Sequence, residues 1–231
     1  FILKRVIFLF LFSSSLIQVT SAQELFVEAG ASTYLFKDYV NNAGNNTLIE
    51  GNTSKTYTPF AEVGFRHNLY EEKAYLNLSV GYQTANIKTD FTQSGFTSNI
   101  EYDLSYFALK AGLAVNLVRY KKLILVAHTA LSFDILSQGE SRFGPTPIVT
   151  DVYKDANFDR TLLRWHKGIS IDYEMNRKMS IYISYSFADS FKENNKDSTA
   201  GEKYSLHSDS FSLGFVFYLK GRRSQFKSCF F

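Results

Sequence analysis

From Leu25 onward the chain repeats one pattern: stretches in which apolar residues alternate with polar or small ones, separated by polar connections. Alternation with a period of two puts successive side chains on opposite faces of a strand, so each stretch predicts a strand with one oily face. The clearest is Ser210 to Lys220, with Phe211, Leu213, Phe215, Phe217 and Leu219 on one face and Ser210, Ser212, Gly214, Val216 and Tyr218 on the other. Seven more precede it, at 25–36, about 58–69, 74–88, 104–117, 123–136, 162–173 and 179–188. Lys167 falls on the oily face of its stretch, which calls for a bulge or a position near a water interface.

These stretches exceed the roughly 5–6 residues usual in soluble sheets and match the roughly 9–11 of tilted membrane strands. The connections alternate too. Those at 68–73, 118–122 and 176–178 are short, whereas those at 37–57, 89–103, 137–161 and 189–209 are long and rich in Asn, Ser, Thr, Gly and Asp. Short turns on one rim and long loops on the other predict an all-β, eight-stranded antiparallel up-and-down transmembrane barrel, with periplasmic turns and extracellular loops. Ser210 to Lys220 is then the closing strand and must pair with Leu25 to Phe36.

A soluble barrel would show the same alternation turned inside out. The polar face decides between them, because it sets a few charges among glycines and serines, poor cover for a solvent surface but suitable filling for a lumen. Tyr34, Phe36, Trp165, Tyr185, Phe187 and Phe211 fall near the long-loop ends and are expected to form an aromatic girdle there.

Composition agrees. Tyr (15) and Phe (22) are abundant, while Pro (3), Met (2) and Cys (1) are scarce, a bias toward strand over helix. The mean hydropathy of −0.14 excludes a protein of many membrane helices. Residues 1–22 carry Lys4 and Arg5, an apolar run from Val6 to Phe12 and small residues up to Ala22, the layout of a cleaved signal peptide. No Met stands at the start, so the sequence is expected to be truncated there, and no Cys near Ala22 prepares a lipid anchor. Losing that leader lowers the net charge from +3 to +1, so no nucleic-acid partner is expected. The lone Cys229 allows no internal disulfide.

Candidate chemistry lies on the polar face: Glu28, Glu62, Arg66, Lys110, His128, Asp134, Arg164, His166 and Asp172. A charge in a narrow lumen needs a partner, so these residues predict a network of ion pairs. If the strands at 123–136 and 162–173 pair about a loop centred near Thr150, Asp134 faces His166 and His128 faces Asp172. Such couples read either as lumen salt bridges or as acid–base pairs of a barrel enzyme. His207, Ser208 and Asp209 supply base, nucleophile and acid types, but neighbours on a strand point to opposite faces and cannot form a relay among themselves. No metal-ligand spacing and no phosphate-binding glycine loop occurs, so no cofactor is expected.

Ser212, Gly214, Phe217 and Leu219 have the order of polar, glycine and two spaced hydrophobic positions that resembles the assembly signal in last strands of bacterial outer-membrane barrels. Residues 23–220 resemble the small eight-stranded outer-membrane barrels of Bacteroidetes, the outer membrane protein beta-barrel or PorT-like family. The resemblance implies an outer-membrane location in a Gram-negative bacterium, contacts with lipid, lipopolysaccharide and the barrel-assembly machinery, and no catalytic residue. It departs from the family at residues 221–231, which form either a periplasmic tail or, ending at Phe231, the true terminal signal. An eight-stranded barrel has little free lumen. The expected role is therefore a non-enzymatic structural or surface-interaction barrel that meets an extracellular ligand; the alternatives are an accessory barrel of a secretion apparatus and a lipid-modifying or proteolytic barrel enzyme.

Overall fold

The structure is a computed structural model and describes residues 24–40, 54–70, 72–93, 96–144, 148–154, 160–191 and 203–219. The expected signal peptide (1–22) and the expected tail (221–231) lie outside the described residues. Eight long antiparallel strands close into a ring: β1 (Glu24–Val40), β3 (Thr58–Tyr70), β4 (Ala74–Gln93), β5 (Phe96–Tyr120), β6 (Leu123–Phe143), β8 (Thr161–Asn176), β9 (Met179–Ser190) and β10 (Lys203–Tyr218). Each pairs with its neighbours along the chain, and β10 closes on β1 from Glu24↔Tyr218 to Lys37↔Ser205 without a break. The predicted closing pair is therefore present. Two short strands, β2 (Ser54–Lys55) on β4 and β7 (Ile148–Asp151) on β6, sit on the long-loop side.

The oily faces point outward. Leu78, Val80, Leu109, Leu113, Leu131, Ile169, Ile183, Leu213 and Phe215 are all exposed on the outer wall. So continuous an apolar surface does not suit contact with water and suits contact with hydrocarbon. Its upper edge is sharp, because the next outward residue turns polar on strand after strand: Tyr82 to Thr84, Phe107 to Ser105, Phe187 to Asp189 and Phe211 to Asp209. Trp165, Tyr185, Phe187 and Phe211 stand outward near this edge, as expected of a girdle. Tyr34 and Phe36 do not. They keep the inward parity of Phe26 and Glu28 and are buried in the lumen, so their alternation, and not their aromatic character, sets their direction.

Lys167 stays outward with no bulge, since its strand runs in continuous register against both neighbours there. Its Nζ lies 3.5 Å from the centroid of the Trp165 ring and 5.7 Å from that of Phe187. The aromatic faces and the nearby upper edge accommodate its charge.

The short rim carries tight turns at 72–73, 121–122 and 177–178, together with residues 24 and 219. The opposite rim departs from expectation. The connection at 89–103 is a continued hairpin, with β4 and β5 paired out to Gln93↔Phe96, and β6 follows them to Phe143. A bulge between Leu136 and Gln138 lets Leu136 and Gly139 both face inward. This three-strand wall rises above the apolar belt, and Val152, from the 3-10 turn Val152–Lys154, packs on its inner face.

Candidate functional site

The ring encloses three layers. At the short-turn end lie two apolar clusters, Phe26–Tyr182–Val216–Tyr218 and Tyr75–Ala114–Ile124–Val126. The predicted charges fill the middle. Above them is a roof built from Tyr34, Phe36, Ala85, Ile87, Ile100, Tyr102, Leu104, Tyr106, Leu136, Val152, Leu162 and Leu206. The small, polar lumen expected from the sequence is thus confined to the middle of the barrel, because inward positions of the tall wall are apolar and pack on one another.

In the middle layer the charges are paired across the lumen. Lys110 of β5 donates to Glu62 of β3, which also accepts from Ser79 Oγ at 2.6 Å. Glu28 of β1 accepts from the Tyr182 hydroxyl of β9 at 2.7 Å. Arg66 of β3 reaches Asp172 of β8 at 3.5 Å and Glu24 at 3.8 Å, among the rings of Phe26, Tyr75 and Tyr182. Higher up, Arg164 and Asp134 pair at 3.1 Å with 1% exposure each. Gln83 ties this pair to Tyr34: its amide nitrogen donates to Asp134 at 2.6 Å, and its oxygen accepts from the Tyr34 hydroxyl at 3.1 Å. Arg164 also donates to Ser208.

The expected histidine couples do not form. Strands β6 and β8 pair with Leu131 opposite Trp165, four residues from the guessed register, which puts Asp134 opposite Leu162 and His128 opposite Gly168. A long connection leaves register free, and packing of the two inward faces sets it. His166 instead meets Ser132 at 2.9 Å, and Asp172 accepts from Ser170 at 2.8 Å. His128 borders a cavity of about 80 Å³ shared with Glu28, Glu62, Arg66, Lys110 and His166, room for a few waters. Ser212 and Gly214 face the lumen, while Phe217 and Leu219 face out.

Gln83, Tyr34, Tyr182, Ser208 and Glu24 complete these pairs and were absent from the sequence-derived set. All five share the inward parity of their strands; the first four carry no charge, and Glu24 lies one residue before the stretch predicted at 25–36. Outside the lumen, His207 contacts Asp189 at 2.6 Å and Asp209 at 3.7 Å on the outer wall, while Ser208 points inward, away from both, so the three form no relay. Among the described residues no group of three or more His, Cys, Asp and Glu is placed to hold a metal ion. The buried pairs can bind the wall together between the apolar layers above and below them.

No family model and no curated protein matches the chain. Among solved structures it is similar to Neisserial surface protein A (12% identity over 84% of this chain and 96% of that one, TM-score 0.45). It is likewise similar to Ail, the attachment invasion locus protein of Yersinia pestis, in complex with sucrose octasulfate (13%, 84% and 98%, TM-score 0.39), and to the outer membrane protease OmpT of Escherichia coli (9%, 84% and 96%, TM-score 0.48). Each of these three likenesses has a TM-score below 0.5, and the closed eight-stranded barrel with its apolar face outward rests on this chain's own topology and exposure.

Proposed function

We propose that this protein is a non-enzymatic, non-conducting outer-membrane barrel of a Gram-negative bacterium, whose working surface is the extracellular wall of β4, β5 and β6. The observation that carries this reading is the filled lumen. Apolar layers lie above and below a paired polar middle, and the cavity between them holds only about 80 Å³. A wall rising beyond the belt adds nothing to spanning a membrane, but it presents a rigid polar face to the medium. Membership among the PorT-like barrels of Bacteroidetes, export by the leader at 1–22 and contact with lipopolysaccharide are parts of this proposal.

Reconstituted in planar bilayers, the folded chain is expected to give no stepwise conductance. Reproducible ohmic steps from the purified protein would overturn the reading. The same rigid wall would serve an accessory role in secretion, and an unchanged secretome after gene deletion rules that role out.

A further inference from the structure

The outer face of the tall wall carries a concavity that the lumen does not use. It has a volume of about 280 Å³; Ala85, Leu104 and Gly139 contribute to its floor together with Thr58 of β3, and the outward side chains around it are Thr84, Asn86, Asp103, Ser105, Gln138 and Glu140. Each of these six outward side chains is a hydroxyl, an amide or a carboxylate, and together they offer many acceptors and few cations. The nearby Arg142 is already engaged by Asp103 and by Glu140, each at 3.3 Å. Such a lining disfavours phosphate and sulfate and suits a ligand that brings many hydroxyl donors.

Two further observations point to a ligand. The Asn86 amide nitrogen donates to both Glu101 (2.9 Å) and Asp103. Carboxylates only accept, so the amide orientation is fixed and Oδ1 turns away from them. That oxygen is buried and has no hydrogen-bond partner among the described residues. The Glu101 carboxyl is held below its usual range by the hydrogen bonds from Asn86 and Lys88, in keeping with this arrangement. In addition, the next outward positions below Thr84 and Ser105 are Tyr82 and Phe107, whose rings lie 5.2 Å apart, tilted at 59°, with 41% and 56% exposure. An exposed aromatic pair beneath a field of planar polar groups matches the two sides of a pyranose, a C–H face that packs on rings and a rim of hydroxyls that meets amides and carboxylates.

We infer that this concavity is a binding site for an uncharged sugar unit, with Asn86, Gln138 and Asp103 reading its hydroxyls and Tyr82 and Phe107 supporting its apolar face. The inference deepens the surface-recognition reading and rests on it, but conductance and sugar binding are measured separately, so either can fail alone. Because the aromatic pair stands at the edge of the belt, the sugar could come from the head group of an outer-leaflet glycolipid or from a free glycan.

The test uses the full chain refolded in a zwitterionic detergent that carries no sugar. Methyl glycosides of glucose, galactose, mannose and N-acetylglucosamine are titrated by saturation-transfer NMR, with glucose 6-sulfate as the charged control. At least one uncharged glycoside is expected to saturate the protein. Asn86→Leu and Phe107→Ala should each weaken binding about tenfold or more, the scale of one lost buried hydrogen bond or ring contact, while heat-modifiable gel migration shows that both variants still fold. In a second arm, lipid nanodiscs with and without lipopolysaccharide separate the sources: protection of the site only in its presence assigns a glycolipid, and binding of soluble glycosides unaffected by it assigns a free glycan. No binding in either arm, equal binding by both variants and the parent, or a preference for the sulfated sugar each refutes the site.

Discussion

Replacing Arg164 by methionine is expected to destabilise the barrel by about 3–5 kcal/mol, the cost of stranding a buried carboxylate without its partner. Asp134 and Arg164 are each 1% exposed and lie beneath the apolar roof, so water has no short route to the abandoned charge. The loss extends past one pair, because Arg164 also donates to Ser208 on β10 and approaches the Gln83 oxygen that Tyr34 uses. Urea unfolding in detergent micelles, followed by gel migration and circular dichroism, reads the change. Removing both charges as Asp134→Leu with Arg164→Met should recover most of the loss, since a buried pair replaced by well-packed apolar groups is often neutral or better. If the single and double variants lose equal stability, the pair is not what holds these strands.

The second large effect separates two adjacent residues. A side chain added at Gly214 would place its Cβ against the tip of the Tyr182 ring, far inside contact distance. Gly214→Leu must push that ring off the Glu28 carboxylate it donates to, adding an overpacking cost of about 1–3 kcal/mol to a lost charged hydrogen bond of about 1.5–3 kcal/mol. We expect a markedly lower urea midpoint for the heat-modifiable folded form. Phe215 points the other way, 37% exposed on the apolar belt. Phe215→Arg there should cost about 2–4 kcal/mol near mid-membrane, and the cost should fall in thinner bilayers that let the guanidinium reach the interface. Trimming the obstructing ring distinguishes the mechanisms: Tyr182→Ala should partly rescue Gly214→Leu and do nothing for Phe215→Arg. Rescue of both, or of neither, would mean that the two faces are wrongly assigned.

Which side chains line the lumen was readable in the sequence because direction along a strand depends only on odd or even position. Glu28, Glu62, Arg66, Lys110, Asp134, Arg164 and Asp172 all sit inside for that reason. Pairing was not readable in the same way. It depends on how far one strand slides against the next, and across the connection before β8 nothing local fixes the slide, so a loop centred near Thr150 points Asp134 at His166 whereas the folded chain pairs it with Arg164. Tyr34 and Phe36 follow parity and not aromatic type, and so face the lumen. The roof is hard to see in the sequence because residues 89–103 are polar enough in outline to read as loop, although Ile100 and Tyr102 keep the alternation that a strand requires. The carbohydrate-facing concavity needs a bulge after Leu136 to turn Gln138 and Glu140 outward together, and no residue type announces it.

The pairs that cross the lumen have one further consequence. Arg66 with Asp172, Lys110 with Glu62, Tyr182 with Glu28 and Tyr34 with Gln83 each join strands that are not neighbours in the sheet. They behave like spokes, and spokes bear load only once the rim is whole. The first four long strands already hold both members of Lys110–Glu62 and Tyr34–Gln83, but Tyr182 and Glu28 sit on β9 and β1, at opposite ends of the unclosed sheet with only β10 between them in the ring. Closure of β10 on β1 is therefore the step that gives the last of these polar groups its mate.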